Sequence, residues 1–409
     1  MSGADGTLAG VAARPTVSPH QRRARLVARH RLTPARRSDD VLAITDDLVA
    51  LHSTDPVTVH LSAAVRMRTP RIGALDAALY DERTLVRHHA MRRTLWVFGR
   101  EAARLAHHGA TLDVARVQRR QILQQLAGAG ISDTEAWTTD AMAAISELLT
   151  DAGPLTAREV GQRLPELAVP VPLGRGTYAA TQAAHSRVLL LMGFEGRALR
   201  ARPTGTWING QYRWAAAQAW LDGGLGEPLD AATAAAGLAR RYLRAFGPAT
   251  RADLRWWAGW TAATTDRALA AVGAVEVALD GATGYVLPDD VAGDDPVEPG
   301  EPSVALLPGL DPTTMGWKER AFHLDGEHAR ALFDRNGNGG PAVWVDGRMV
   351  GGWVQRADGT IAVRLLADVG AERRALVDDA AHALEKLVGD VRFSVRFAAP
   401  IQAELLAAS

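Results

Sequence analysis

Hydrophobic and polar positions follow a helical period over much of the chain, and two amphipathic helices lead into the same short motif. The helices are predicted at residues 141–149 and 239–246. The motif, Gly-Pro-x-Thr-x-x-acid-aliphatic, occupies residues 153–160 and 247–254. Its threonine, followed three positions later by an acidic residue, is typical of a helix capping box. Helix, tight turn and capped second helix together predict the start of a helix-turn-helix.

The pattern after each motif continues with a third helix and then alternates as in a hairpin. The third helix is predicted over 178–192 in the first copy and up to residue 272 in the second, where Thr264 or Thr265 caps it. Such an order is that of a winged helix, and we favour winged helices that bind nucleic acid over a helical scaffold without a ligand. The predicted strands are 198–202 and 205–208 after the first copy, and 275–279 and 283–287 after the second.

The first 120 residues repeat this order without the motif, whereas the last 110 are rich in strands. Helices are predicted at 20–30, 38–51 and 72–80, before strands at 84–87 and 94–98. The C-terminal strands, joined in part by Asp-Gly turns, predict a small β-barrel-like domain; they are 303–307, 342–345, 348–354, 361–365 and 391–397.

The predicted fold is therefore α+β, with three tandem winged-helix domains followed by a small C-terminal β-barrel-like domain. A chain of 409 residues is too long for one ordinary core, which agrees with several domains. The predicted division is a flexible tail over 1–19, winged helices over 20–135, 136–225 and 226–290, a linker over 291–302 and the β-rich domain over 303–409.

Composition narrows the possible chemistry and partners. The chain has no cysteine, which excludes disulfides, thiolate-bound zinc and a thiol nucleophile, and we expect a cytoplasmic protein. No apolar stretch is long enough for a membrane span, and no motif for a metal or a nucleotide phosphate is present, so we expect no membrane partner, metal or cofactor. Residues 1–120 carry 20 arginines and 11 acidic residues, a net charge of +9, which suits a polyanion such as DNA.

Chemically reactive side chains are concentrated in the segment Leu-His-Ser-Thr-Asp-Pro at 51–56, which ends the second predicted helix. One interpretation is a helix C-terminus, where a histidine favours the helix dipole and Asp-Pro starts a turn. The other is a base and hydroxyls that orient a water molecule. Helical spacing would place His52 and Asp55 on one face and Thr54 on another.

Arginines in the first predicted hairpin are the main candidates for DNA contacts. Arg92 and Arg93 lie where the wing of a winged helix reaches phosphates or the minor groove. The adjacent histidines His88 and His89 point to opposite faces of a strand, which argues against a shared metal. Helical spacing predicts that Trp256 is part of the core.

The sequence resembles the AlkZ/YcaQ-like family of winged-helix DNA glycosylases over nearly the whole chain after residue 20. The resemblance implies three tandem winged helices and a C-terminal β-barrel around a concave DNA-binding surface. It also implies hydrolysis of the N-glycosidic bond of alkylated purines, including bulky N7 adducts. The matching stretches are 48–66, 91–96, the two Gly-Pro-x-Thr motifs, Arg240 and Tyr242 with Trp256-Trp257, 306–311 with 316–320, and 345–351.

The family's active motif, Gln-apolar-Gln or Gln-apolar-Asp, corresponds to His52-Ser53-Thr54 here, followed by Asp55. An N7-alkylated purine leaves as a cation and needs no general acid, so the enzyme has to stabilise an oxocarbenium-like sugar and position a water. We expect Asp55 to do both, His52 to accept the proton of the water or hold it, and Thr54 to complete its hydrogen bonds. The only two lysines, Lys318 and Lys386, are remote in sequence from the motif, so no Schiff-base lyase step is expected.

The expected partner is double-stranded DNA that carries alkylated purines, bound by a monomer at the nucleoid, with self-resistance to a DNA-alkylating natural product as a biological role. The alternative is a non-catalytic winged-helix DNA-binding protein, either a regulator or an adduct-recognition protein. A regulator usually dimerises on a palindrome, and nothing in the sequence resembles a zipper. The expected DNA contacts are Arg66, Arg92, Arg93, Arg187, Arg251, Arg255, Lys318 and Arg320.

Overall fold

The computed structural model describes residues 14–174, 180–291 and 301–408, and it confirms the α+β class. One order of elements occurs three times: a helix, a short extended segment, two helices and a hairpin. In each repeat the short segment pairs antiparallel with the second strand of the hairpin. The three repeats cover residues 41–99, 134–216 and 231–286. This order is that of a winged helix.

The first repeat begins one helix later than predicted. Helix α1, Pro19–Arg29, lies outside it, and the helix over 56–64 was missed because all nine of its residues are buried, which leaves no polar face and no helical period. The first repeat consists of α2 (Val41–Asp47), β1 (Leu51–His52), α3 (Pro56–Ala64), α4 (Gly73–Asp76) with a π-turn over Ala77–Asp81, β2 (Leu85–His89) and β3 (Leu95–Gly99).

The second repeat follows α5 (Arg100–Ala106), a π-turn at His107–Thr111 and α6 (Leu112–Gly128). Its predicted third helix starts late, because an added hairpin precedes it; residues 178 and 179 of that prediction lie outside the described residues. The second strand lies at 212–216, not at 205–208. The elements are α7 (Thr134–Asp151), α8 (Ala157–Arg163), β4 (Pro170–Leu173), β5 (Ala180–Ala183), α9 (Ala184–Phe194), β6 (Ala198–Pro203), β7 (Tyr212–Ala216) and α10 (Ala217–Leu221).

Both capping boxes predicted from the repeated motif are present, at Thr156 and at Thr250. In the third repeat Thr261 caps the last helix, so the expected caps Thr264 and Thr265 are wrong by one turn. The elements of the third repeat are α11 (Ala231–Phe246), β8 (Ala249–Thr250), α12 (Arg251–Ala258), α13 (Ala262–Ala271), β9 (Val275–Leu279) and β10 (Ala282–Val286).

Residues 14–18, the first described part of the predicted flexible tail, pack against the third repeat. Thr16 forms a parallel bridge with Ala278 on β9, and Val17 is buried beside it. Residues 1–13 of the tail, and 292–300 of the predicted linker, lie outside the described residues.

The C-terminal part is an antiparallel sheet covered by helices, and a barrel is not confirmed. The sheet order is β11-β12-β13-β14, with β11 and β14 at the edges within the described residues. No strand forms at 391–397, and the helix over Gly370–Val388 was not predicted. The elements are β11 (Val304–Leu307), α14 (Pro312–Met315), α15 (Gly326–Leu332), β12 (Ala342–Val345), β13 (Arg348–Gln355), β14 (Ile361–Leu365), α16 (Gly370–Val388) and α17 (Pro400–Ala407).

The largest hydrophobic core joins α1, the first and third repeats and the C-terminal sheet, whereas most of the second repeat packs in a separate cluster. The largest cluster of buried side chains includes Leu26 of α1, Trp96 of the first repeat, Tyr242 of the third and Trp344 of the C-terminal sheet. The domain boundaries drawn from the sequence stay a prediction, because the first and third repeats share this core with the C-terminal sheet. In the three described stretches, no helix is both long and apolar enough to cross a membrane.

Candidate active site

The segment His52–Asp55 forms the corner between β1 and α3. His52 lies opposite Trp96 in the sheet, and Asp55 caps α3, its Oδ1 accepting the Val57 N–H at 3.1 Å. The prediction that this segment ends a helix is wrong: α2 stops at Asp47, and Val49 adopts a left-handed backbone. The motif instead starts a helix, so the helical pairing of His52 with Asp55 does not apply.

His52 is buried and uncharged. Burial, with a further contribution from Arg92, lowers the pKa of its imidazole to about 3. The ring packs edge-on against Trp96, with 4.7 Å between the centroids, and Nδ1 lies 3.5 Å from the Thr54 backbone nitrogen. An imidazole with so low a pKa is a weak proton acceptor at neutral pH, although it can still hold a water molecule.

Asp55 lies at the N-terminal end of α3 beside Arg396. Burial raises the pKa of its carboxyl group, while hydrogen bonding from the Val57 N–H and the charge and N–H of Arg396 act in the opposite direction. The Arg396 Nη1 also donates to the Thr54 carbonyl at 3.1 Å. The corner thus combines a carboxylate, the positive end of a helix dipole and an exposed guanidinium.

Arg87 supports the corner from inside the protein. Its Nε donates to the Ser53 hydroxyl at 2.8 Å, its Nη1 donates to the Tyr80 hydroxyl, and its guanidinium lies 4.3 Å from the ring centroid of Tyr212. The side chain is 1% exposed, so strand β2 is not the solvent-facing wing that the sequence indicated. The Nη2 of Arg87 is buried without a hydrogen-bond partner among the described residues.

Two of the predicted DNA-binding arginines meet on one aromatic ring. Arg92 sits in the tight turn between β2 and β3, and its guanidinium lies 4.2 Å from the ring centroid of Trp256. Arg320 approaches the same ring at 5.4 Å. Trp256 is only partly buried, so the prediction that it belongs to the core is confirmed in part. The neighbouring Arg93 and Lys318 are exposed.

The other arginines predicted to contact DNA are either exposed elsewhere on the surface or bonded to other side chains. Arg251 and Arg255 lie on α12; Arg255 is exposed, whereas Arg251 is paired with Asp266, with Nη2 and Oδ2 2.6 Å apart. Arg187 lies on α9 in the second repeat and donates to Gln125 at 3.1 Å. The structure therefore brings together Arg92, Arg320 and their neighbours, but not all of the predicted set.

Arg66 is not a DNA contact, and that prediction is wrong. Its guanidinium is fully buried and forms a two-pronged ion pair with Asp311, at 2.8 and 2.9 Å. The other hydrogen bonds go to the carbonyls of His30 and Ser62 and to the Thr313 hydroxyl, so every donor is used. Sequence alone showed an arginine in a family-like stretch and gave no sign of a carboxylate 245 positions away.

Sequence reasoning also missed Arg87 and Arg396 as parts of the corner. Arg396 lies 342 positions from Thr54, and no local pattern relates them. Among the residues that the structure describes, no group of three histidine, aspartate or glutamate side chains could hold a metal ion.

Comparison with known proteins gives two findings. A family model described as DNA glycosylase AlkZ-like matches residues 45–387, which include the corner at His52–Asp55. Among solved structures, the Streptomyces sahachiroi DNA glycosylase AlkZ is similar, with a TM-score of 0.71 and 19% sequence identity over 94% of this chain and 100% of that chain. At that identity the structural likeness shows the fold alone. No curated protein matches the chain in sequence.

Proposed function

The chain belongs to the AlkZ-like DNA glycosylase family, and on that premise we propose that it hydrolyses the N-glycosidic bond of N7-alkylated purines in duplex DNA. The observation that supports the proposal is the match over residues 45–387, which include the His52–Asp55 corner. The sequence resemblance implies that this corner corresponds to the family's active motif. Bulky adducts are included in the proposed substrate class, with self-resistance to an alkylating natural product as the biological role.

The leaving group suits the chemistry of the corner. A purine alkylated at N7 already carries a positive charge and departs without protonation. His52, whose pKa burial lowers to about 3, is uncharged at neutral pH and therefore cannot act as a general acid toward the leaving base. A neutral residue at this position is compatible with a cationic leaving group, and it would not support excision of an unmodified purine that needs a general acid.

Asp55 is the proposed electrostatic stabiliser. As the sugar gains oxocarbenium character, a nearby carboxylate stabilises its positive charge. The positive end of the α3 dipole and the charge of Arg396 favour the ionised carboxylate, against the effect of burial on its pKa. We assign to Asp55 the positioning of the attacking water as well.

His52 and Thr54 are proposed to hold that water. Because Nδ1 faces the Thr54 N–H, the neutral imidazole carries its proton on Nε2 and can donate it to a water oxygen. From the sequence we expected His52 either to accept the proton of the water or to hold the water. The proposal keeps only the second role. With lysines only at 318 and 386, the proposed reaction stops at the abasic site, as in a monofunctional glycosylase.

The direct test is to incubate the protein with a duplex that contains one N7-methylguanine and to measure abasic sites. We expect release of the methylated base, and none from the same duplex with guanine. Tight binding of the methylated duplex without abasic sites would instead indicate an adduct-recognition protein, the alternative that the replaced glutamine motif favours.

A further inference from the structure

Three arginines converge on aromatic rings next to the proposed active corner. Arg92 and Arg320 share the ring of Trp256, at 4.2 and 5.4 Å from its centroid. Arg22, from α1, lies 3.7 Å from the ring centroid of Phe322. Arg22, Arg92 and Arg320 are called the arginine cluster below. Its members come from three distant parts of the sequence, and the sequence prediction had included only Arg92 and Arg320.

The arginine cluster forms no ion pair within the described part of the chain, although the charge of Asp253 acts on Arg22 and Arg320 and that of Glu319 on Arg22. None of its three guanidinium groups forms an ion pair there, and the Nε of each is buried without a hydrogen-bond acceptor. Burial lowers the pKa of each of the three to about 10, which still leaves them charged at neutral pH. Leaving buried donors and charges unpaired is unfavourable, so a bound anion would stabilise this arrangement.

The carboxylate of Asp253, which acts on two members of the cluster through its charge, is taken up by other hydrogen bonds. Asp253 is fully buried, and its Oδ1 accepts the backbone N–H groups of Lys318 and Glu319, each at 2.8 Å. Its Oδ2 accepts the backbone N–H and the hydroxyl of Thr250, each at 2.9 Å. Asp253 therefore fixes the segment that leads to Arg320, and it forms no hydrogen bond to a guanidinium of the cluster.

We propose that Arg92 and Arg320 bind one backbone phosphate of the DNA over the Trp256 ring, with Arg22 as an adjacent cation. A guanidinium stacked on an aromatic ring keeps its edge free for the paired hydrogen bonds that a phosphate accepts, and stacking holds that edge in place. The inference extends the proposed function, because the turn that carries Arg92 leads into β3, whose Trp96 lies opposite His52 in the sheet. The bound phosphate is then one that flanks the nucleotide at the active corner.

The salt dependence of binding tests whether one phosphate is shared. Each phosphate contact contributes about 0.9 to the slope of log affinity against log salt concentration. The full-length protein and its Arg92→Gln, Arg320→Gln and double variants are titrated with an undamaged duplex across a salt series. We expect roughly tenfold weaker binding for each single variant, and a loss of about 0.9 in slope for the double variant. A loss of about twice that value would mean two separate phosphates and would overturn the proposal.

Two controls separate binding from structure. Arg374→Gln removes the same charge from an exposed arginine that pairs with Asp378 on α16, and we expect it to leave affinity and slope unchanged. Urea denaturation is measured for every variant, and we expect the cluster variants to be as stable as the wild type, since no ion pair is lost. If the double variant is less stable but keeps the wild-type dependence of DNA affinity on salt, the cluster has only a structural role, and the inference is refuted.

Inorganic phosphate distinguishes DNA from a free anion as the ligand. At constant ionic strength, phosphate should compete with duplex for the wild type but not for the double variant. If phosphate stabilises the wild type while the double variant keeps wild-type DNA affinity, the cluster binds a free anion and the DNA assignment is wrong. Because undamaged duplex is used, these results do not depend on excision, so failure of the glycosylase proposal is seen separately in the abasic-site assay.

Discussion

The ion pair between Arg66 and Asp311 provides a test of how the first repeat is joined to the C-terminal part. Both side chains are fully buried, and Asp311 also accepts the Ser62 hydroxyl at 2.6 Å. The guanidinium of Arg66 is the largest influence that lowers the pKa of Asp311 against the effect of burial. Arg66→Met removes the cation and leaves the carboxylate without its main partner.

The expected loss is large because one charge remains buried. Breaking a buried ion pair from one side costs about 3–5 kcal/mol of unfolding free energy. With a urea dependence of about 3 kcal/mol per molar, typical of the upper range for small proteins, the midpoint falls by roughly 1 M or more. Removing both charges together, with Arg66→Met and Asp311→Asn, should recover much of this loss, because no unpaired charge is left and the amide still accepts the Thr313 N–H.

The assay is equilibrium urea unfolding followed by circular dichroism, with DNA affinity measured under folding conditions. Arg68→Met is the matched control, since Arg68 lies two positions away with an exposed side chain and we expect less than about 0.5 kcal/mol from it. An Arg66→Met protein with wild-type stability and weakened DNA binding would refute the structural role and restore the assignment made from the sequence.

Two further predictions concern pH and the support of the corner. Burial lowers the pKa of His30, His52 and His89 to about 3, whereas unfolded histidine titrates near 6.5, so the unfolded chain binds protons first as the pH falls. Stability should therefore decrease below about pH 6.5, by up to about 1.4 kcal/mol per pH unit for each histidine, and a melting temperature unchanged between about pH 7 and pH 5 would contradict this. Arg87→Lys keeps the charge but loses the paired contacts to Ser53 and Tyr80, so excision should slow by roughly tenfold to a hundredfold at unchanged DNA affinity. An equal loss in excision and in binding would show that Arg87 does not act by positioning the corner.

Local chemistry made part of the fold predictable. The capping boxes at Thr156 and Thr250 were readable because the acceptor and the acidic residue lie three positions apart, and the structure has both. The turn between β9 and β10 was predictable because the adjacent pair Asp-Gly favours a tight hairpin connection. Helix α3 was not, because burial on every side removes the alternation on which a helical prediction depends.

The candidate site was predictable only as a segment. The residue types at His52–Asp55 indicated the corner, but its backbone depends on the pairing of β1 with β3, which is a tertiary contact. The partners Arg87 and Arg396 reach the corner from elsewhere in the chain. Likewise, nothing in the sequence was a reason to treat Arg66 and Arg92 differently. The ion pair with Asp311 shows that Arg66 is structural, whereas Arg92 stacks on Trp256.

The most direct test of the central proposal is single-turnover release of N7-methylguanine by Asp55→Asn, measured beside duplex binding. Asparagine caps a helix about as well as aspartate, so the variant removes the charge and keeps the start of α3. Asp40→Asn, the same change at the cap of α2, is the matched control. We predict that Asp55→Asn slows release by on the order of 10²-fold or more, that His52→Ala slows it less, and that Asp40→Asn releases the base at the wild-type rate, with binding preserved throughout. Release by Asp55→Asn at the wild-type rate would contradict the catalytic role of Asp55 and reduce it to a helix cap.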